Sequence, residues 1–301
     1  MRDDFEHVRV HLAARIARWT AGSKQYDTPI SGLCLWGAQT SGPVNCILEP
    51  TIAIAVQGTK RTRLGSEVYL YDRRRFLITS LDLPVVMEIE NASPSSPYLG
   101  AILRHDVRMI SELIIETTQR PPRRESVPDR GIVLGETTVA LLAAFDRLIG
   151  LLEEPELIPV LAPLIQREIY HRILRSDVGG HMWQMASIGS QSHRIGQAIS
   201  WLKANFRESL RVKELAVRVG MSSSRFHHHF RHFTSMSPLQ FQKWLRLAEA
   251  RRLMIMQGLN PSMAAYEVGY DSPSQFSREY TRHFGASPRR DVDGILRQAA
   301  L

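Results

Sequence analysis

The sequence predicts an α+β protein. A small antiparallel barrel or sandwich with flanking helices comes first, followed by an all-α domain in which a helix joins two helix-turn-helix motifs. Three observations carry this reading. Between residue 28 and about residue 105, short β-branched or alternating runs recur between turn-forming stretches. From Arg194 onward there are seventeen Lys/Arg against eight Asp/Glu, a balance of +9, whereas the preceding 193 residues hold twenty-one against twenty-two, a balance of −1. All of the excess behind the net +8 therefore sits in the last third, as in a nucleic-acid-binding module attached to a neutral partner. Finally, "EVGYDSPSQFSREYTRHFGASPRR" (Glu267 to Arg290) repeats the pattern of "RVGMSSSRFHHHFRHFTSMSP" (Arg218 to Pro238).

Taken in order, the chain opens on an amphipathic helix with Phe5, Val8 and Leu12 at helical spacing, and without the apolar h-region of a signal peptide. "TIAIAV", "KRTRL", "EVYLY" and "FLITS" read as strands, and Tyr98 to Val107 as a closing strand. Cys34 and Cys46, in strand-like segments, read as small core residues of a reducing cytoplasm, with a redox- or electrophile-sensing thiol pair as the alternative. From Asp106 the pattern turns helical through Val107, Ile110, Leu113 and Ile114. Arg120 to Gly131, with adjacent prolines, reads as an exposed loop. A further helix starts at Thr137 with Val139, Leu142, Phe145 and Ile149 on one side, and Pro155, Pro159 and Pro163 read as breaks in the next helical stretch. Asp177 to His193, rich in glycine and serine, is the expected boundary, so the chain divides into residues 1–176, a linker 177–193 and a helical domain 194–293. No apolar run approaches the ~20 residues of a membrane span.

The repeat has a physical grammar. Leu215, Ala216, Val219 and Gly220 correspond to Ala264, Ala265, Val268 and Gly269 at an offset of 49. Phe226, Phe230 and Pro238 correspond to Phe276, Tyr280 and Pro288 at an offset of 50, so one residue has entered the turn. The motifs run over about 212–233 and 261–284. Each glycine supplies the positive φ of a sharp helix-helix turn, and each aromatic pair at i, i+4 anchors the second helix. Ser272, Pro273 and Gln275 read as N-cap, first helical residue and capping-box partner, and Gly285 as the C-terminal stop.

The aromatic pairs leave Ser224, His227, His228 and Arg231 facing outward on the first reading helix, and Ser274, Gln275, Ser277, Arg278 and Arg282 on the second. These side-chain types match the donor and acceptor pattern of base edges in the major groove. Arg211, Arg225, Arg231, Lys243, Arg246, Arg282 and Arg290 suit phosphate contacts, which position without specifying. Between the copies, Phe241, Trp244, Leu245 and Ala248 mark a helix of about 18 residues, or ~27 Å. Such a rod holds two reading helices about one DNA turn apart.

From about residue 194 to 292, "LRVKELAVRVGMSSSRFHHHFRHFTSMSPLQFQKWLRLAEARRLM" and "AAYEVGYDSPSQFSREYTRHFGASPRR" resemble the DNA-binding domain of the AraC/XylS family of bacterial transcription regulators. "LEPTIAIAVQGTKRTRLGSEVYLYDRRRFLITSLDLPV" is similar to the cupin-like N-terminal domain of one subgroup. The resemblance implies a cytoplasmic, sequence-specific regulator of the activator kind, with a cupin-like β-barrel that takes a small-molecule effector. It also implies helices that pair subunits into a homodimer, and double-stranded promoter DNA and RNA polymerase as partners. The helices at 137–150 and 157–175 are the candidates for pairing, or pack their apolar stripe on the barrel of their own chain. The resemblance places Ser224, His227, His228, Ser274, Gln275 and Arg278 at base-contacting positions. The run His227-His228-His229 departs from the Arg or Gln often found there, which puts the preference of that half in question.

Other functions find less support in the residues. A metal enzyme in a cupin-like barrel needs several converging His and carboxylate ligands, yet His105 is the one histidine between Thr28 and Asp106. Neither G-x-G-x-x-G nor G-x-S-x-G occurs, and no cofactor or metal is expected. Trp36, Tyr69, Tyr71 and Phe76 are candidates for lining an effector pocket, or are simply core, and Arg73–Arg75 is either an acidic-ligand patch or a solvated turn. The alternative to an effector-responsive regulator is an architectural DNA-binding protein whose barrel serves only to dimerise.

Overall fold

A computed structural model of the chain describes residues 2–299 except 22, 41, 118–129 and 188. The chain divides into two compact units, Met1–Gly196 with His232–Ser235, and Gln197–Arg231 with Met236–Leu301. The first unit contains helix α1 (Arg2–Trp19), strands β1 (Gln25–Asp27), β2 (Leu33–Ala38), β3 (Pro43–Leu48), β4 (Thr51–Gln57), β5 (Thr59–Leu64), β6 (Glu67–Tyr71), β7 (Arg75–Thr79), β8 (Leu83–Glu90) and β9 (Tyr98–Arg104). Then come α2 (Val107–Glu116), β10 (Ile132–Glu136), α3 (Val139–Gly150), α4 (Ile158–Leu174) and α5 (Gly179–Ala186).

The strands form two antiparallel sheets, ordered β1-β2-β9-β4-β7-β10 and β3-β8-β5-β6. Of the expected barrel or sandwich, the described strands form two separate sheets and no closed ring. No strand pairing joins them among the described residues. The burial patterns give the reason. In β4, Thr51 to Val56 are buried without a break, as in a strand covered on both faces. In β5, buried Lys60, Thr62 and Leu64 alternate with exposed Arg61 and Arg63, as in a sheet with one solvated face. The six-stranded sheet is thus the middle layer, and burial is complete without ring closure. On its far side, Ile52, Ile54 and Val56 join Leu12 and Ile16 of α1, Leu142 and Phe145 of α3, and Ile169 and Ile173 of α4 in one core.

Local chemistry sets the element ends. The Asp106 carboxylate accepts from the Met109 N–H and caps α2, and the Thr138 hydroxyl accepts from the Leu141 N–H and caps α3. β10, absent from the sequence reading, pairs with β7 along its whole length from Ile132↔Thr79 to Glu136↔Arg75. Of the expected loop at 120–131, residues 120–129 lie outside the described residues. Pro163 does not break α4. It sits in the second turn, where one lost backbone bond is offset by the buried Ala162, Ile169, Tyr170 and Ile173. The expected linker 177–193 contains α5, whose Met182, Met185 and Ala186 belong to the core of the first unit. Glycine and serine there mark helix ends, and the division falls later, after Gly196 within α6 (Gln191–Asn205).

The second unit is helical throughout its described residues: the rest of α6, then α7 (Val212–Arg218), α8 (Ser223–Thr234), α9 (Pro238–Gln257), α10 (Pro261–Glu267), α11 (Pro273–Phe284) and α12 (Pro288–Ala299). No described helix is long and apolar enough to cross a membrane.

Candidate nucleic-acid interface

The repeat is structural. α7 and α10 are each 7 residues long and begin 49 positions apart, whereas α8 and α11 are each 12 residues long and begin 50 apart. The extra residue therefore lies in the turn. Both turn glycines have positive φ, 67° at Gly220 and 86° at Gly269. At Gly269 a side chain is doubly excluded, because a Cβ would lie 2.3 Å from the Arg207 carbonyl oxygen.

In α8, Phe226 and Phe230 are fully buried with ring centroids 5.5 Å apart, and in α11 Phe276 and Tyr280 repeat this at 5.4 Å. With those faces inside, Ser224, Arg225, His227, His228 and Arg231 are exposed on α8, and Ser274, Gln275, Arg278 and Arg282 on α11. Ser277, expected to face outward, is half-buried. The His227 ring leans on Phe226 at 6.3 Å, and the His228 ring on the buried His229 at 5.2 Å. Arg225, Arg231, Arg278, Arg282 and Arg290 make no hydrogen bond or ion pair among the described residues.

Two of the expected phosphate contacts are tied up within the protein. The Arg246 guanidinium donates to the carbonyls of Phe206 (2.7 Å), Gly269 (2.8 Å), Arg207 (3.0 Å) and Glu208 (2.9 Å). Four of its five N–H groups are thereby used, binding α9 to the chain after α6 and to the turn of the second motif. Lys243 pairs with Glu279 at 2.7 Å. Glu279 also accepts from Tyr270 (2.8 Å) and from Gln275 (3.3 Å). Burial alone would raise the Glu279 pKa, but the hydrogen bonds from Lys243, Tyr270 and Gln275 outweigh it and hold the carboxyl below its ordinary value. Arg211 pairs with Glu214 at the exposed start of α7.

Because Gln275 turns to Glu279, the Ser272 cap of α11 is one-sided, its hydroxyl accepting from the Gln275 N–H at 3.3 Å. The reciprocal capping box lies instead at α9, between Ser237 and Gln240. α9 spans 20 residues, about 30 Å, from Pro238 to the left-handed cap at Gly258. Asp291 of α12 fastens its second half, accepting two bonds from Arg251 (2.8 Å each) and one from Tyr280 (2.6 Å). Sequence reasoning passed over Arg251, Glu279 and Asp291, which stabilise the reading helices rather than face outward.

In the first unit the four candidate pocket aromatics part company. Phe76 faces the helical core, and Tyr69 donates to Glu67. Trp36 and Tyr71 instead come together around a residue not singled out beforehand, Lys60. Its amine lies 5.1 Å from the Trp36 ring centroid and 5.6 Å from that of Tyr98, with Tyr71 as the directly opposed residue on β6. Lys60 is 3 % exposed, and burial pushes its pKa down to about 8. The period-two pattern of "TKRTRL" was the available signal, since it puts Lys60 and Thr62 on the same face as Leu64. Arg73–Arg75 are exposed and line a cleft of about 880 Å³ together with Glu6, Glu136 and Asp177. Arg73 pairs with Glu6 at 3.3 Å. Three carboxyl groups among three arginines make this a mixed-charge turn rather than an acidic-ligand patch.

Comparison with known proteins gives concordant matches for the two units. A family model described as AraC-type transcriptional regulator N-terminus matches residues 29–181, and one described as a helix-turn-helix domain matches residues 215–292. The HTH-type transcriptional regulator ArgR of Pseudomonas aeruginosa is 25% identical over 150 residues, 50% of this chain and 46% of that protein. The HTH-type transcriptional activator RhaS of Yersinia pestis is 30% identical over 111 residues, 36% of this chain and 41% of that protein. The chain thus spans less than half the length of these curated relatives. Among solved structures, unsaturated fatty acid bound ToxT from Vibrio cholerae aligns with a TM-score of 0.52 at 8% identity, covering 86% of this chain and 94% of that one. At that identity the likeness is one of fold.

Proposed function

The chain belongs to the AraC-type transcriptional regulators, and from that premise we propose that it binds promoter DNA through two reading heads on one chain, in response to a small-molecule effector. One observation carries the reading: α8 and α11 repeat the same buried aromatic pair and expose the same kind of polar face, on either side of one uninterrupted helix. The proposed base-reading side chains are Ser224, His227 and His228 from α8 and Ser274, Gln275 and Arg278 from α11. Arg225, Arg231, Arg282 and Arg290 take phosphates, with Arg211. Lys243 reaches phosphate alongside its pairing with Glu279, and Arg246 sets the geometry of the second turn.

The relatives are transcription regulators, which supports a non-catalytic role. The fatty acid bound to ToxT supports an effector for the N-terminal unit. Cytoplasmic location, activation through RNA polymerase and homodimerisation belong to the same proposal. For pairing, α3 offers little, because Leu141, Leu142, Phe145, Leu148 and Ile149 are buried within the chain. Val160 and Leu164 of α4 are exposed. The test is genome-wide mapping of bound DNA followed by footprinting. Protection of two successive major-groove segments at a few promoters is expected. Even coverage of unrelated DNA would replace this reading with an architectural one.

A further inference from the structure

The space between the two sheets holds a buried cation without a protein anion. Lys60 points from β5 toward the six-stranded sheet, as its approach to Trp36 on β2 and Tyr98 on β9 shows. The strand registers place its neighbours. Tyr71 and Tyr69 oppose Lys60 and Thr62 on β6, and Ile89 and Met87 oppose them on β8. The acidic residues of β8, Glu88 and Glu90, oppose Thr59 and Arg61 instead, and Glu90 pairs with Arg61 on the outer face. Alternation thus keeps the β8 carboxylates off the inner face. Glu67 of β6, which shares that face opposite Leu64, is engaged by Tyr69. Among the described residues the Lys60 amine makes no hydrogen bond or ion pair.

Nor do the titratable neighbours supply a charge. Burial pushes the Cys34 thiol up to about 12 and the Cys46 thiol up to about 11. It also raises Tyr71 and Tyr98. All four stay neutral near pH 7, while an amine with a pKa of about 8 is mostly protonated. One turn of pleat along the strand, the Thr62 hydroxyl is fully buried and has no partner. Opposite, β4 and β9 present Ala53, Ala55 and Gly100, and the Tyr98 hydroxyl lies over Gly100, 2.7 Å from where a Cβ would stand. An ammonium buried beside aromatic rings but no anion, and a buried hydroxyl without a hydrogen-bond partner on the same face, are unfavourable in a protein that has no use for them.

We propose that Lys60 is the anion anchor of an effector site between the sheets, and that the effector is a small organic carboxylate. The carboxylate accepts from the Lys60 ammonium and the Thr62 hydroxyl, and its apolar part lies against the Trp36 and Tyr98 rings. This rests on the effector-responsive reading above and narrows it to a chemical class.

The full-length protein is titrated with benzoate and octanoate, and with benzyl alcohol and 1-octanol as uncharged counterparts. Tryptophan emission and melting temperature are followed, and a Trp36→Phe variant assigns the emission change. At least one carboxylate should bind saturably, with its alcohol at least tenfold weaker. Lys60→Met should lose at least tenfold in carboxylate affinity while melting cooperatively and binding the footprinted DNA as before. Thr62→Val, which keeps the charge, should lose a few-fold and serves if Lys60→Met fails to fold. Equal binding of acid and alcohol, binding that survives Lys60→Met, or no carboxylate bound at millimolar concentration overturns the proposal. If an alcohol alters DNA affinity where the acids do not, the effector reading stands and the anion anchor falls. If Lys60-dependent binding leaves DNA affinity unchanged, the site stands and the effector reading falls.

Discussion

A charge buried as Lys60 is leaves a mark on how stability varies with pH. The amine titrates near 10.5 when solvated and near 8 in the fold, with burial as the cause. Below pH 8 both states carry the proton and the folded state bears the full desolvation penalty. Between pH 8 and 10.5 the unfolded chain retains a proton that the folded one has released, so stability rises with pH across that window, by about 3 kcal/mol in all. Lys60→Met should therefore be more stable than the parent at neutral pH, with the margin closing as pH rises above 8. Urea melts of both proteins on either side of that pH check it, and a constant margin would contradict the burial of the charge. Arg246→Met should cost about 2–4 kcal/mol, since it orphans carbonyls at the end of α6 and at Gly269, and calorimetric melting would show it. Neither residue's task was readable beforehand. "KRTRL" looks like a basic strand until its alternation is applied, and an arginine bound to four main-chain oxygens looks in sequence like one bound to phosphate.

At the scale of elements, the second motif is the more sharply specified. Its helix α11 has the Ser272 cap, Pro273 at its start and Gly285 at its end. Phe276→Ala should destabilise it by about 3–5 kcal/mol, because the ring is fully buried against Tyr270 and Tyr280. An unchanged melting temperature would place that ring on the wrong face. Arg278→Ala, at an exposed position, should leave melting unchanged and cost about 1–3 kcal/mol of binding at one base position. Gel shifts against a panel of single-base variants measure this, and a uniform loss across the panel would make Arg278 a phosphate contact. Most of this was legible, because turn glycines, aromatic pairs and caps are local signals. The exchange of the capping box from Gln275 to Gln240 was not. Which glutamine folds back depends on Glu279 and Lys243, brought together from α11 and α9.

For the whole molecule, charge asymmetry and the change from period two to helical period were enough to give two units of the right classes in the right order. The placement of the division was less legible. Glycine and serine suggested 177–193, but Met182 and Met185 are core, and only packing reveals that. The choice between barrel and sandwich, left open by the sequence, likewise turns on a global property. Strand runs predict a sheet, but whether its ends meet depends on what covers each face.

α9 has no proline or glycine between Pro238 and Gly258, and its middle turns are anchored by Arg246 and, through Arg251, by Asp291. A promoter recognised through such a ruler has its phase written in base pairs. Slipping in half a helical repeat, about 5 bp, carries the second element to the opposite side of the duplex. Slipping in a whole repeat restores the side but not the reach, so a stiff protein should release both altered promoters, whereas a loosely tethered one would recover the second.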